Sequence, residues 1–165
     1  MKRQRFKFKN VYPVDFMLKQ LEIARENKAA FPDMEWLIRK QLEILFRKAS
    51  DCVYVDYISE AAKVKALSIG VDLSKVVWKN QCTKGKDKGR KIFQLEHCVP
   101  ISELIDRVFY TTEGLKDILK DNITAWVTYE ENERLNSKYR DTRPGGWEKC
   151  YAEFSIVPIK NIISE

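Results

Sequence analysis

Histidine is almost absent from this chain: 165 residues carry one, His97. A zinc site built from several imidazoles is therefore excluded, as is any mechanism that needs two of them. Cysteine is also scarce. Cys52, Cys82, Cys98 and Cys150 form no CxxC pair, and their spacing matches no zinc ribbon or finger, so they read as reduced thiols and no structural zinc is expected. No stretch comes near the roughly 18 consecutive apolar residues of a membrane span. The N-terminus, MKRQRFKFKN, is basic but lacks the apolar core of a signal peptide. The expectation is a soluble, cytoplasmic protein with no membrane partner and an oligomeric state that the sequence does not reveal. The chain has only six glycines and five prolines, with 44% hydrophobic and 12% aromatic residues, so it is not compositionally disordered.

What is present is an excess of positive charge, 30 Lys and Arg against 24 Asp and Glu, a formal net of +6. Residues 1–50 carry a net +6, residues 51–110 a net +2 and residues 111–165 a net −2. Two basic clusters stand out. One is the arm Lys2, Arg3, Arg5, Lys7 and Lys9, interleaved with Phe6 and Phe8. The other is Lys84, Lys86, Lys88, Arg90 and Lys91, set among Gly85 and Gly89. Lys and Arg neutralise phosphates and aromatic rings stack on bases, so such clusters suit nucleic acid; a solvated tail and loop have the same composition.

Apolar spacing predicts a helix over 14–29 with Phe16, Met17, Leu21, Ile23 and Ala24 inward, and a second to about residue 49 with Trp36, Leu37, Leu42, Ile44, Leu45 and Phe46 inward. A third is expected over 53–68, ending at Gly70, and a short one after Asp72. After the basic loop the pattern changes. KIFQL (91–95) reads as a strand, 101–110 and 112–120 as short helices, and ITAWV (123–127) as a second strand. Thr128 with Glu131 three residues on is a capping box that opens a helix over 129–139. The loop Arg143-Pro144-Gly145-Gly146 ends it, 147–154 is helical, and 155–163 is extended or irregular. The fold class is thus α+β. Residues 1–83 form a helical supporting and nucleic-acid-binding region and 84–165 a strand–helix unit, with one compact domain as the alternative.

The single histidine sits in L-E-H-C-V-P. Asn122 stands at the start of the second strand, and Asn132 and Asn136 lie at i, i+4 on the capped helix, on one face. An acid, a neutral imidazole and amide oxygens suit a hard divalent cation and a water-derived nucleophile, which is metal-assisted hydrolysis with one base. Adjacent strand residues point to opposite faces, so Glu96 and His97 are expected to converge only where the backbone kinks. Cys98 as a nucleophile with His97 as its base is the less favoured chemistry, since neighbouring residues rarely meet that way.

The stretches FQLEHCVPISEL and DNITAWVTYEENERLNSKY resemble the HNH, or ββα-metal, nuclease family over about residues 90–143. The resemblance implies a ββα-metal core with short helices inserted between its strands. It implies an endonuclease that hydrolyses DNA, with RNA not excluded, and uses Mg²⁺ or Mn²⁺. On the matching positions it implies Glu96 as a metal ligand, with Asn132 or Asn136 as the ligand on the helix. It further implies His97 as the general base and Asn122 as the residue that orients it. Arg143, just past the helix, is a candidate for stabilising developing charge, and Arg134, Lys138 and Arg140 are candidates for holding phosphates beside the basic loop. Two rival functions stand next to this one. One is a non-catalytic basic nucleic-acid-binding or regulatory protein, and the other is a helical interaction module.

Overall fold

The computed structural model describes residues 14–80 and 92–162. The basic arm (Lys2 to Lys9), the basic loop residues Lys84, Lys86, Lys88, Arg90 and Lys91, and Cys82 lie outside the described residues. The architecture is mixed α+β, mostly helical, with a small four-stranded mixed sheet.

Helices α1 (Val14–Ala30) and α2 (Glu35–Asp51) form a hairpin around a 3-10 turn at Pro32–Met34. Their inward stripes are Met17, Leu21 and Ala24, and Ile38, Leu42, Phe46 and Ala49, the near-fourfold spacing of one helix face. Phe16, Ile23, Trp36 and Ile44, expected inward, are exposed. Each is one or two positions off the stripe, and one position turns the side chain about 100° around the axis. Helices α4 (Ile101–Tyr110) and α5 (Leu115–Lys120) complete this layer, with Leu104, Ile105, Val108 and Ile118 in the same core cluster. The excursion between the two expected strands is therefore half of a four-helix layer, and it carries the N-terminal hairpin.

Strands β1 (Tyr57–Ser59), β2 (Phe93–His97), β3 (Thr124–Thr128) and β4 (Pro158–Lys160) lie in the order β2-β3-β1-β4. β3 is antiparallel to β2 and parallel to β1, and β4 is antiparallel to β1. The helix expected over 53–68 is corrected: residues 57–59 are strand, and helix α3 spans only Glu60–Ser68. The cause is long-range. Tyr57 and Ile58 pair with Ala125 and Trp126, and the Thr124 N–H donates to the Asp56 carboxylate at 2.8 Å. The sheet thus draws strands from both sides of residue 83.

All of β3 is buried. Alternation sends Ala125 and Val127 into a cluster with Leu135, Trp147 and Tyr151, and Trp126 into another with Ile58, Ala62, Ala66 and Leu73. Helix α6 (Tyr129–Tyr139) starts directly from the last residue of β3, because Thr128 caps it and the capping box with Glu131 is complete. With no loop to spend, α6 folds back against β2 and β3. Helix α7 (Trp147–Glu153) packs Trp147 and Tyr151 into the same cluster. No described helix is long and apolar enough to cross a membrane.

Glu131 is only 3% exposed. Its Oε2 accepts from the Thr128 N–H at 2.8 Å and from the Ser59 hydroxyl at 2.6 Å. Ser59 in turn caps α3 by accepting from the Ala62 N–H. One carboxylate therefore joins the first turns of two helices and two strand ends. Glu131→Ala strands these buried donors and is expected to cost about 2–3 kcal/mol. Urea unfolding measures it, and a loss below about 0.5 kcal/mol, the size of an ordinary surface change, would refute the linkage.

Candidate functional site

A pocket of about 420 Å³ lies where β2, α2, α4 and α6 meet. β2 contributes Leu95, Glu96 and His97; the start of α4 contributes Pro100, Ile101, Ser102 and Ile105. One wall is α6 with the residues just after it: Asn132, Asn136, Arg140, Asp141 and Arg143. The other wall is Arg39, Glu43 and Arg47, one stripe at i, i+4, i+8 along α2. The Ser102 hydroxyl donates to the Asp141 carbonyl at 3.4 Å, joining the end of α6 to α4.

The structure thus brings Glu96, His97, Asn132, Asn136, Arg140 and Arg143 to one place. Glu96 stands opposite Ala125 and His97 opposite Thr124 in the regular β2–β3 ladder, so they face opposite sides of the sheet. No kink is needed for them to share a pocket. β2 is an edge strand; its residues Leu95, Glu96 and His97 line the pocket, with α6, packed on the strand pair, and the α2 stripe as walls.

Glu96 and Arg143 form an ion pair whose side chains are 10% and 3% exposed. Arg143 Nη2 donates to Glu96 Oε1, and Nη1 donates to the carbonyls of Tyr139 and Thr142. A tight turn holds the arginine there. The Gly146 N–H returns to the Arg143 carbonyl at 2.9 Å, with Pro144 second and Gly145 third at φ +77°, the left-handed position that favours glycine. Arg143 thus lines the pocket with its two Nη atoms on Glu96 and backbone carbonyls and its buried Nε without a hydrogen-bond partner. Burial pushes the Glu96 carboxyl above its usual range, and the Arg143 charge and hydrogen bond oppose this.

His97 is held well below the ordinary imidazole value of 6.5, at about 4, first by burial and then by the positive charge of Arg47. Its Nε2 is buried without a hydrogen-bond partner. A neutral imidazole carries one nitrogen free to accept a proton.

Other expected residues fall elsewhere. Asn122 does not line the pocket; its Nδ2 donates to the Ser50 hydroxyl at 3.4 Å, joining the end of α2 to the start of β3, and its Oδ1 is buried without a hydrogen-bond partner. Lys138 pairs with Glu153 on α7, and Arg134 is exposed on α6 away from the pocket lining. The Cys98 thiol is buried beside the Tyr151 hydroxyl at 3.6 Å and burial pushes its pKa upward, which closes the thiolate chemistry. The α2 stripe was missed. Its strict i+4 spacing beside the core stripe was visible in the sequence, but its approach to His97 was not.

Among the described residues no group of three or more His, Cys, Asp and Glu side chains is arranged to hold a metal ion. The oxygen donors that line the pocket are the Glu43, Glu96 and Asp141 carboxylates and the Asn132 and Asn136 amides. Such hard oxygen donors fit Mg²⁺ or Mn²⁺ and not zinc. Comparison with family models, with curated proteins and with solved structures finds no match for the chain.

Two outcomes follow from the burial. Arg143→Met leaves an uncompensated buried charge and is expected to cost about 3–5 kcal/mol, most of it recovered when Glu96→Leu is added, since a buried pair replaced by apolar groups is often neutral. If the double variant is as unstable as Arg143→Met alone, the pairing account fails. The single histidine also gives a clean NMR titration. Native His97 is expected to protonate near pH 4, whereas the unfolded chain takes up that proton near 6.5. The folded pKa is the depressed one, so His97 costs nothing above pH 6.5 and destabilises the fold progressively as pH falls from 6.5 to 4. A native midpoint near 6.5 would contradict this.

Proposed function

We propose that the chain is a metal-dependent endonuclease of the HNH, ββα-metal type that hydrolyses DNA phosphodiester bonds. The observation that carries the reading is a neutral His97, with an unpartnered Nε2, in the same pocket as Glu96, Asn132 and Asn136. The succession of antiparallel β2 and β3 with α6 capped directly from β3 supports it. His97 Nε2 accepts the proton of the water whose oxygen bonds to phosphorus as the ester bond breaks. Glu96, with Asn132 or Asn136, would hold Mg²⁺ or Mn²⁺, which when bound stabilises charge on the phosphate and the leaving oxygen. Arg143 fixes the Glu96 carboxylate from behind, as partners of ligating carboxylates do.

One observation favours a second reading, a non-catalytic basic nucleic-acid-binding or regulatory protein: Arg143 already neutralises Glu96 without any metal. Plasmid nicking separates the two. The wild type is expected to nick with Mg²⁺ or Mn²⁺ and to stop in EDTA, and His97→Ala is expected to lose about 10²–10⁴-fold, the usual worth of a general base. Plasmid left intact with either metal, or cut by His97→Ala at the wild-type rate, ends the nuclease reading. Asn132→Ala and Asn136→Ala, compared by the metal concentration giving half-maximal rate, assign the helix ligand. RNA run beside DNA tests the substrate.

A further inference from the structure

We propose that Arg47 and Arg140 form a two-sided clamp for the phosphate backbone of DNA, so that α2, in the helical half of the chain, supplies one side of the substrate site. The inference rests on the nuclease reading for the identity of the polyanion, and on the pocket for everything else.

Four arginines line the pocket, and their hydrogen bonds sort them. Arg39 is held by Asp106 at 2.6 Å and lies over the Phe109 ring. Arg143 is spent on Glu96 and two carbonyls. Arg47 has one carboxylate partner, Glu43 at 3.2 Å, and its side chain is 59% exposed. Arg140 is exposed at the end of α6 and has no ion-pair partner among the described residues. Two guanidinium groups on different walls thus remain for a ligand, in the pocket that His97 also lines.

The carboxylates facing them are Glu43, Glu96 and Asp141. Glu96 is neutralised by Arg143, and Glu43 is shared between Arg47 and Lys40. Only Asp141 is left to oppose Arg140. Guanidinium groups bind phosphate oxygens in bidentate fashion. A backbone entering the pocket would meet Arg47 on the α2 wall and Arg140 on the α6 wall.

The test uses the full chain and a fluorescein-labelled DNA duplex in EDTA, where binding is read by anisotropy from 50 to 200 mM salt without cleavage. Arg47→Ala and Arg140→Ala are each expected to bind about tenfold more weakly at low salt, the worth of one charge-assisted hydrogen-bonded contact. Each is expected to lower the slope of log K against log salt by about 0.9, and the double variant by about twice that. Lys120→Ala, an equal loss of charge on α5 outside the pocket lining, is expected to keep the wild-type slope. Both arginines are exposed, so a melting curve is expected to show the variants folded. The clamp is overturned if both arginine variants keep the wild-type affinity and slope, or if Lys120→Ala loses as much. Nicking with Mg²⁺ keeps the two readings apart. An inactive wild type with weakened binding in the arginine variants supports the clamp and removes the nuclease. An active wild type whose arginine variants bind and nick unchanged keeps the nuclease and removes the clamp.

Discussion

A carboxylate buried on an edge strand must find a cation or give up its charge, and Glu96 finds Arg143. Desolvating either ion costs several kcal/mol, so each is tolerable only in contact with the other. That requirement reaches far along the chain. It draws the turn after α6 onto β2, and Pro144, Gly145 and Gly146 give the backbone the shape that holds the arginine in place. It joins the end of α6, already folded back on the strand pair from its cap at Thr128, to the pocket that Asn132 and Asn136 line. The desolvated surroundings that demand the ion pair also keep His97 neutral. One physical condition, burial at the edge of the sheet, thus sets the protonation of both neighbours in the E-H dipeptide.

The helical half is not an appendage to this site. Helices α4 and α5 leave the sheet between β2 and β3 and share a core with α1 and α2. Because only three residues separate the end of β2 from the start of α4, the layer it anchors stands beside His97, and the polar stripe of α2 becomes a wall of the pocket. Strand β1 closes the arrangement from the other side of β3. Residues of the helical half and the Asn pair therefore line one cleft, although the charge pattern places most of the positive excess and the Asn pair in different thirds of the chain.

Much of this was legible in the residues. The helix over 129–139, its capping box, the helix over 101–110 and the strand pair follow from local rules, because capping and alternation act over a few residues. The grouping of Glu96, His97, Asn132 and Asn136 was also legible, since a helix capped directly off a strand has little choice but to pack back on it. The strand at 57–59 was not, because its three residues are strand only through long-range pairing with β3 and β4. Nor were the outward positions of Trp36 and Ile44, since a helix with apolar residues on several sides does not say which side will be covered.

By itself the sequence determined that the chain has one histidine, set beside an acid in a strand–strand–helix segment within a mostly helical α+β protein. Those are matters of composition and short-range spacing. Only the tertiary structure decided that Arg143 serves Glu96, that Asn122 serves Ser50, and that Arg47 reaches the histidine from fifty residues away. Partner choice among buried polar groups is a contest over desolvation, and only the packed fold shows which groups are buried together.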